Sequence, residues 1–131
     1  MKDRTAVAYL IARLLLGMSM LGHGVARLPR LSEFSGWMQD AFAKTWLPEA
    51  VVAVFGLTLP VVELLVGIAL LLGVLQRTAL LTGSAIMLAL IFGSCLIEEW
   101  QNVFVQLFYG LYFALLYLFQ DEDRIALQPR Y

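Results

Sequence analysis

Six side chains have types and positions that could do chemistry. Arg13 and Glu63 are ionisable groups set inside long apolar runs, while His23, Arg27, Gln106 and Tyr109 sit nearer the ends of such runs. A charge inside a membrane span costs about 2.5 kcal/mol or more, so it pairs with another group or faces a water-filled cavity. Their opposite signs make Arg13 and Glu63 each other's expected partner. Measured along the apolar stretches that hold them, their depths differ by roughly 7–8 Å at 1.5 Å per residue, and a flexible arginine stem can cover most of that gap. Gly17 and Gly24 near the Arg13 face, and Gly56, Pro60 and Gly67 near the Glu63 face, would let two helix backbones close up. Pro60 also frees the carbonyl of Gly56, a candidate acceptor for one of five guanidinium donors. Such a pair has two readings: a lock between two helices, or a cavity acid that binds a ligand or relays protons.

The elements that must position these groups are long and apolar. Thr5–Ala26, Ala50–Gln76, Thr78–Ile97 and Val103–Gln120 each come close to the roughly 20 residues that cross a bilayer. Of the 19 charged side chains, only Arg13 and Glu63 fall inside them. Composition agrees: 61% of the 131 residues are hydrophobic, 15% are charged and mean hydropathy is +0.81, against about 45–50% and about 25% in soluble domains. A soluble enzyme of this size could not bury so much apolar surface, a disordered chain would be polar, and a net charge of −1 with no basic face argues against nucleic acid as a partner. The expectation is one all-α domain spanning 1–131, an integral membrane four-helix bundle in contact with the lipid bilayer.

Between the first two spans, Leu31, Phe34, Met38 and Phe42 recur at helical spacing, with Trp37 and Trp46 nearby. This predicts a short amphipathic helix lying in the interface or folding over the bundle mouth. Arg13 interrupts the first apolar run and no small-x-small site follows, so that run is expected to be a retained span rather than a cleaved signal. Lys2, Arg4, Arg77, Arg124 and Arg130 would share one side, and Arg27, Arg30 and Lys44 the other, which favours cytoplasmic termini. One cysteine, Cys95, and one histidine leave no intrachain disulfide, cysteine cluster or bis-histidine haem within a single chain, and no metal site is expected. Ala85, Ala89 and Gly93 at i, i+4, i+8 read as a packing seam, within the bundle or between subunits of a homo-oligomer.

Toward the end away from the termini lie His23, Glu98, Glu99, Gln106 and Tyr109, with Gln106 and Tyr109 on one helix face. A histidine there can donate a hydrogen bond to a quinone-like headgroup or accept a proton, and a Tyr or Gln can hold the second carbonyl. Polar residues at span ends equally belong in the headgroup region with no further role.

Arg13-x3-Gly17 and His23-Gly24-x2-Arg27 in the first span, with Pro60-x2-Glu63-x3-Gly67-x5-Gly73-x3-Arg77 in the second, resemble the DoxX family of small four-helix membrane proteins. The resemblance covers about residues 6–119. That family takes its name from small subunits of quinone-linked respiratory enzymes, including thiosulfate:quinone oxidoreductase, and many members have no established activity. The basic residue that follows the His-Gly pair is commonly Lys in the family; here it is Arg27, three positions on from Gly24 and a planar fork rather than a point charge. The resemblance implies Arg13, His23, Arg27 and Glu63 as site residues, a bacterial inner membrane, and a quinone as the non-covalent cofactor. Three functions are consistent with the residues: a subunit of a quinone-linked oxidoreductase working with a partner redox subunit, a non-catalytic scaffold or assembly factor, and a small ion-coupled transporter. Small multidrug transporters carry their essential acid in the first span, where this chain has Arg13.

Overall fold

The structure, a computed structural model, describes residues 2–127. Arg130 and the side chain of Lys2, both used in the charge asymmetry above, lie outside what is described. Helix α1 (Lys2–Arg27) begins with Asp3 in its first turn and ends with Arg27 in its last, charges that complement the helix dipole. A single 3-10 turn, Leu28–Arg30, bends the chain at Pro29, and α2 (Leu31–Ala41) follows. Helix α3 (Glu49–Leu72) ends where Gly73 takes a left-handed φ of 74° and its N–H donates to the Ala69 carbonyl at 2.9 Å. Leu75 is also left-handed, at φ 49°, so the apolar run expected to continue to Gln76 turns sharply at its end. Helices α4 (Gln76–Leu96) and α5 (Trp100–Leu118) complete the set, and a 3-10 turn at Gln120–Glu122 leads into the tail.

Four of these helices, α1, α3, α4 and α5, are long and apolar enough to cross a membrane. Their outward faces are greasy: Leu88 is 73% exposed and Phe104 74%. In water such a surface would be an association liability; among acyl chains it is the ordinary exterior. This is an all-α membrane bundle. The end where α1 starts and α5 finishes is called the base below, and the opposite end the mouth.

Two close pairs build the bundle. Helix α1 runs antiparallel to α3, and the register is set by glycines. A Cβ on Gly24 would lie 2.7 Å from the Cβ of Leu64, and one on Gly67 would lie 2.8 Å from the Cα of Leu21. Helix α4 runs antiparallel to α5, with Gly83 seated against the ring of the fully buried Phe113. Near the base the pairs join through α1 and α5: Tyr9 OH donates to the Leu116 carbonyl at 2.8 Å, and Tyr112 OH to the Ala12 carbonyl at 2.6 Å.

The amphipathic segment is α2, which continues antiparallel along the first half of α3. It buries Ser35 and Met38, with Phe42 buried just beyond its end. Gly56 serves this contact: a Cβ there would lie 2.8 Å from the Cα of Ser35, whose Oγ donates to the Ala53 carbonyl at 2.9 Å. Of the expected seam on α4, Ala85 and Ala89 are exposed, and only Gly93 is buried, against Phe42.

The α1–α3 crossing makes a direct prediction. Gly67→Ala pushes a methyl group into the α1 backbone and should cost about 1–3 kcal/mol through overpacking. Gly22→Ala, whose Cβ meets nothing within 4 Å, should be neutral or slightly stabilising, since alanine favours a helix over glycine. Thermal unfolding in one detergent, followed by circular dichroism, compares them; equal midpoints would mean that this crossing is looser than described.

Candidate functional site

The buried charges form two separate nodes, one at each end of the bundle. At the base, Arg13 is 2% exposed. Its Nη2 donates to the Ile125 carbonyl at 2.8 Å, and its Nε lies 3.5 Å from Oδ1 of Asp123, whose side chain is 1% exposed. Its Nη1 lies against Gly73, where any Cβ would overlap it. The guanidinium therefore sits just beyond the C-terminal end of α3, the negative end of that helix's dipole. The tail that supplies Asp123 and Ile125 is tied down by Leu127, whose N–H donates to the Leu72 carbonyl at 3.2 Å. Gln76 Nε2 donates to the Ala69 carbonyl at 3.0 Å, fastening the α3–α4 turn beside it.

Toward the mouth, Oε1 of Glu63 accepts from Arg27 Nη1 at 3.1 Å, with side-chain exposures of 4% for the acid and 35% for the base. Arg13 and Glu63 are thus not the pair that the sequence predicts. The reason is register. The glycine contacts place Arg13 beside Gly73, ten residues from Glu63 along α3, or about 15 Å of helix. Nor does Arg13 turn to the Gly56 carbonyl, which lies on the stretch of α3 lined by α2.

Glu63 and Arg27 border a cavity of about 360 Å³ in the mouth half, between α1–α3 on one side and α4–α5 on the other. Its walls are largely apolar, from Met20, Leu59, Met87, Leu90 and Val105, with Phe34, Trp37 and Met38 of α2 closing one flank. Its polar end gathers His23, Arg27, Glu63, Gln106 and Tyr109. Five of the six residues singled out from the sequence therefore meet in one place, and Arg13 does not join them. Glu98 and Glu99 are exposed in the α4–α5 turn and are not part of the lining.

Local geometry fixes several roles at that polar end. His23 and Arg27 share a helix face at i, i+4. The Arg27 guanidinium carbon lies 4.5 Å above the centroid of the Phe34 ring, a cation–π contact. His23 Nδ1 lies 2.7 Å from the Ser19 carbonyl. A carbonyl only accepts, so this nitrogen carries the proton, and in the neutral ring Nε2 is left as an acceptor. The Tyr109 hydroxyl is hydrogen-bonded to Ser19 Oγ, and its ring stands edge-on to His23 with centroids 6.1 Å apart. Gln106 Oε1 is buried and has no hydrogen-bond partner.

Sequence reasoning missed Ser19, Phe34 and Asp123 as members of these nodes. Ser19 lies four residues before His23, the spacing at which a backbone carbonyl meets a ring nitrogen on one helix face, so it was discoverable. Asp123 carries no such signal, because it stands among Asp121, Glu122 and Arg124 in a polar tail.

A membrane-spanning helical bundle with a half-polar cavity near one end is the class of protein that fold and site define. The DoxX family model matches residues 8–94, about two thirds of the chain, and the chain belongs to that family. No curated protein and no solved structure gives a significant match. The matched region includes both charged stretches of α1 and α3 and ends before α5, which contributes Gln106 and Tyr109.

Proposed function

We propose that the cavity binds a lipid-soluble amphiphile of the quinone class, and that the protein is a small subunit associated with quinone-linked redox chemistry in a bacterial inner membrane, with both termini cytoplasmic. The observation that carries this reading is the cavity itself. Its volume falls within the few hundred Å³ of small-molecule sites, which join apolar walls to a few convergent polar groups. The apolar flanks suit a substituted ring or the start of a tail, and the Gln106 amide N–H and the Arg27 N–H groups other than Nη1 suit its oxygens. A bound quinone would supply two-electron carrier chemistry. This chain's residues would hold the headgroup and keep it at a fixed depth. With one cysteine and one histidine in the sequence, electrons are taken to come from a partner subunit or a diffusible reductant.

Binding of a decyl-substituted benzoquinone to the protein in lipid nanodiscs, corrected for partition into empty discs, tests the reading. Saturable binding is expected, weakened about tenfold or more in Ala89→Trp, which fills the cavity from an exposed wall position without disturbing the crossing of α1 and α3. No saturable binding, or binding indifferent to Ala89→Trp, would end the proposal. Native mass spectrometry of the gently extracted protein reports any co-purifying subunit in the same preparation. A scaffold role is the second reading, favoured by Trp46, which is 71% exposed beyond α2. In that case Trp46→Ala should abolish recovery of the partner while leaving quinone binding intact.

A further inference from the structure

We infer that the cavity opens sideways into the bilayer between α3 and α4, beside Val51, Ala89 and Phe92, and that its ligand is a long-chain amphiphile whose tail leaves through this window. This rests on the reading of the cavity as an amphiphile site and adds where the hydrocarbon chain goes.

Residues that line the cavity and are also exposed mark the places where it meets the surroundings. They fall into three groups. On the α1–α5 side are His23, Asn102 and Val105. Two of these are polar, and an acyl chain lying over them would deprive them of hydrogen-bond partners. On α2 is Trp37, with Glu33 and Asp40 exposed one turn to either side. Charges at that spacing belong with water and headgroups, not against a hydrocarbon chain. On the α3–α4 side are Val51, Ala89 and Phe92, all apolar. From Val51 to Leu59 on α3, and from Met87 to Gly93 on α4, no residue lining the cavity carries a polar side chain.

The ties between the helices agree. Hydrogen bonds hold α1 to α5 from Tyr9 and Tyr112 near the base up to Ser19 and Tyr109 at the level of the cavity. The polar tie from α4 to α3, Gln76 Nε2 to the Ala69 carbonyl, is at the base. Toward the mouth the window is roofed by the segment that follows α2: Phe42 packs on Gly93, and Trp46 stands edge-on to Phe92 with centroids 6.2 Å apart. Ala89 and Leu59 face each other across the window, each fifteen residues from Val74 in the α3–α4 turn. Ala89 lies seven residues before the end of α4 at Leu96, or about 10 Å of helix. Acyl chains occupy that depth in a bilayer whose hydrocarbon core is about 30 Å thick. The cavity volume of about 360 Å³ is near the lower end for small-molecule sites. A headgroup ring and the first carbons fill it, so a longer chain continues outside.

A tail gains little by moving from acyl chains to an apolar window, because lipid tails are as apolar as leucine. Its position therefore reports the route better than its affinity. The probe is a benzoquinone with a photoreactive diazirine halfway along its decyl chain, bound to the protein in nanodiscs and illuminated. Label that excess unlabelled decylbenzoquinone displaces marks the bound fraction. It is expected on the α3 and α4 peptides that carry Val51, Ala89 and Phe92, and should be lost in Ala89→Trp. Displaceable label confined to peptides carrying Gly22, Trp37 or Asn102 overturns the window and leaves the amphiphile site standing. Saturable quinone binding with no displaceable label on α3 or α4 overturns the window as well. Absence of saturable binding overturns this inference and the proposed function together.

Discussion

Arg13→Met should be the most damaging single change of a charged residue in this protein. The guanidinium and the Asp123 carboxylate are both almost fully buried, and Arg13 also holds the Ile125 carbonyl. Removing one partner of a buried pair leaves the other charged in a poor solvent, at a cost of about 3–5 kcal/mol. The expected result is a large fall in the unfolding midpoint, read by fluorescence-detected size exclusion after heating in detergent. Proteolysis should also reach the tail after Leu118, because the strap over the base loses its anchor. Arg13→Met with Asp123→Asn should recover part of the loss. Full recovery is not expected, because the Ile125 contact stays broken. Arg13→Met with Glu63→Leu should recover none of it. Rescue by the Glu63 change instead of the Asp123 change would restore the pairing that sequence depth suggests and refute the one described here.

That contrast shows what the sequence could and could not reveal. The spans were readable because lipid excludes charge, and only Arg13 and Glu63 break the apolar runs. The α2 face was readable because Leu31, Phe34, Met38 and Phe42 follow helical spacing. Convergence of His23, Gln106 and Tyr109 was readable in outline, since all three sit near the same end of their helices. Pairing was not. Depth counting treats each span as starting at a common plane, whereas α1 and α2 follow α3 in succession, which slides Arg27 rather than Arg13 to the level of Glu63. The glycines that enforce this register, Gly17, Gly24 and Gly67, were visible as small residues, but their partners on the facing helix were not. Asp123 was the least accessible, because its burial is created by a tail fold that local pattern does not encode. The recurrent positions of the family resemblance fall on the two nodes: Arg13 with Gly73 at the base, and His23, Arg27 and Glu63 at the mouth.

The second large effect is an asymmetry within the mouth pair. Glu63 is buried and Arg27 is partly exposed, so the two single deletions should not be equivalent. Arg27→Leu strands a carboxylate inside the bundle and should cost about 3 kcal/mol, near the lower end for a broken buried pair. Glu63→Leu leaves a guanidinium that still rests on Phe34 and reaches the cavity mouth, and should cost about 1 kcal/mol, as for partly exposed pairs. The double change to leucine removes both charges and should be more stable than Arg27→Leu alone, because nothing is left unpaired. Thermal unfolding of the four proteins gives the coupling directly. The same set separates fold from function: the double variant should fold yet bind the decyl-substituted benzoquinone more weakly than wild type, having lost two of the polar groups at the headgroup end. Equal destabilisation by both single changes, or a double variant no better than Arg27→Leu, would mean that the carboxylate is not held in place by Arg27, and the polar end of the cavity would then need another organiser.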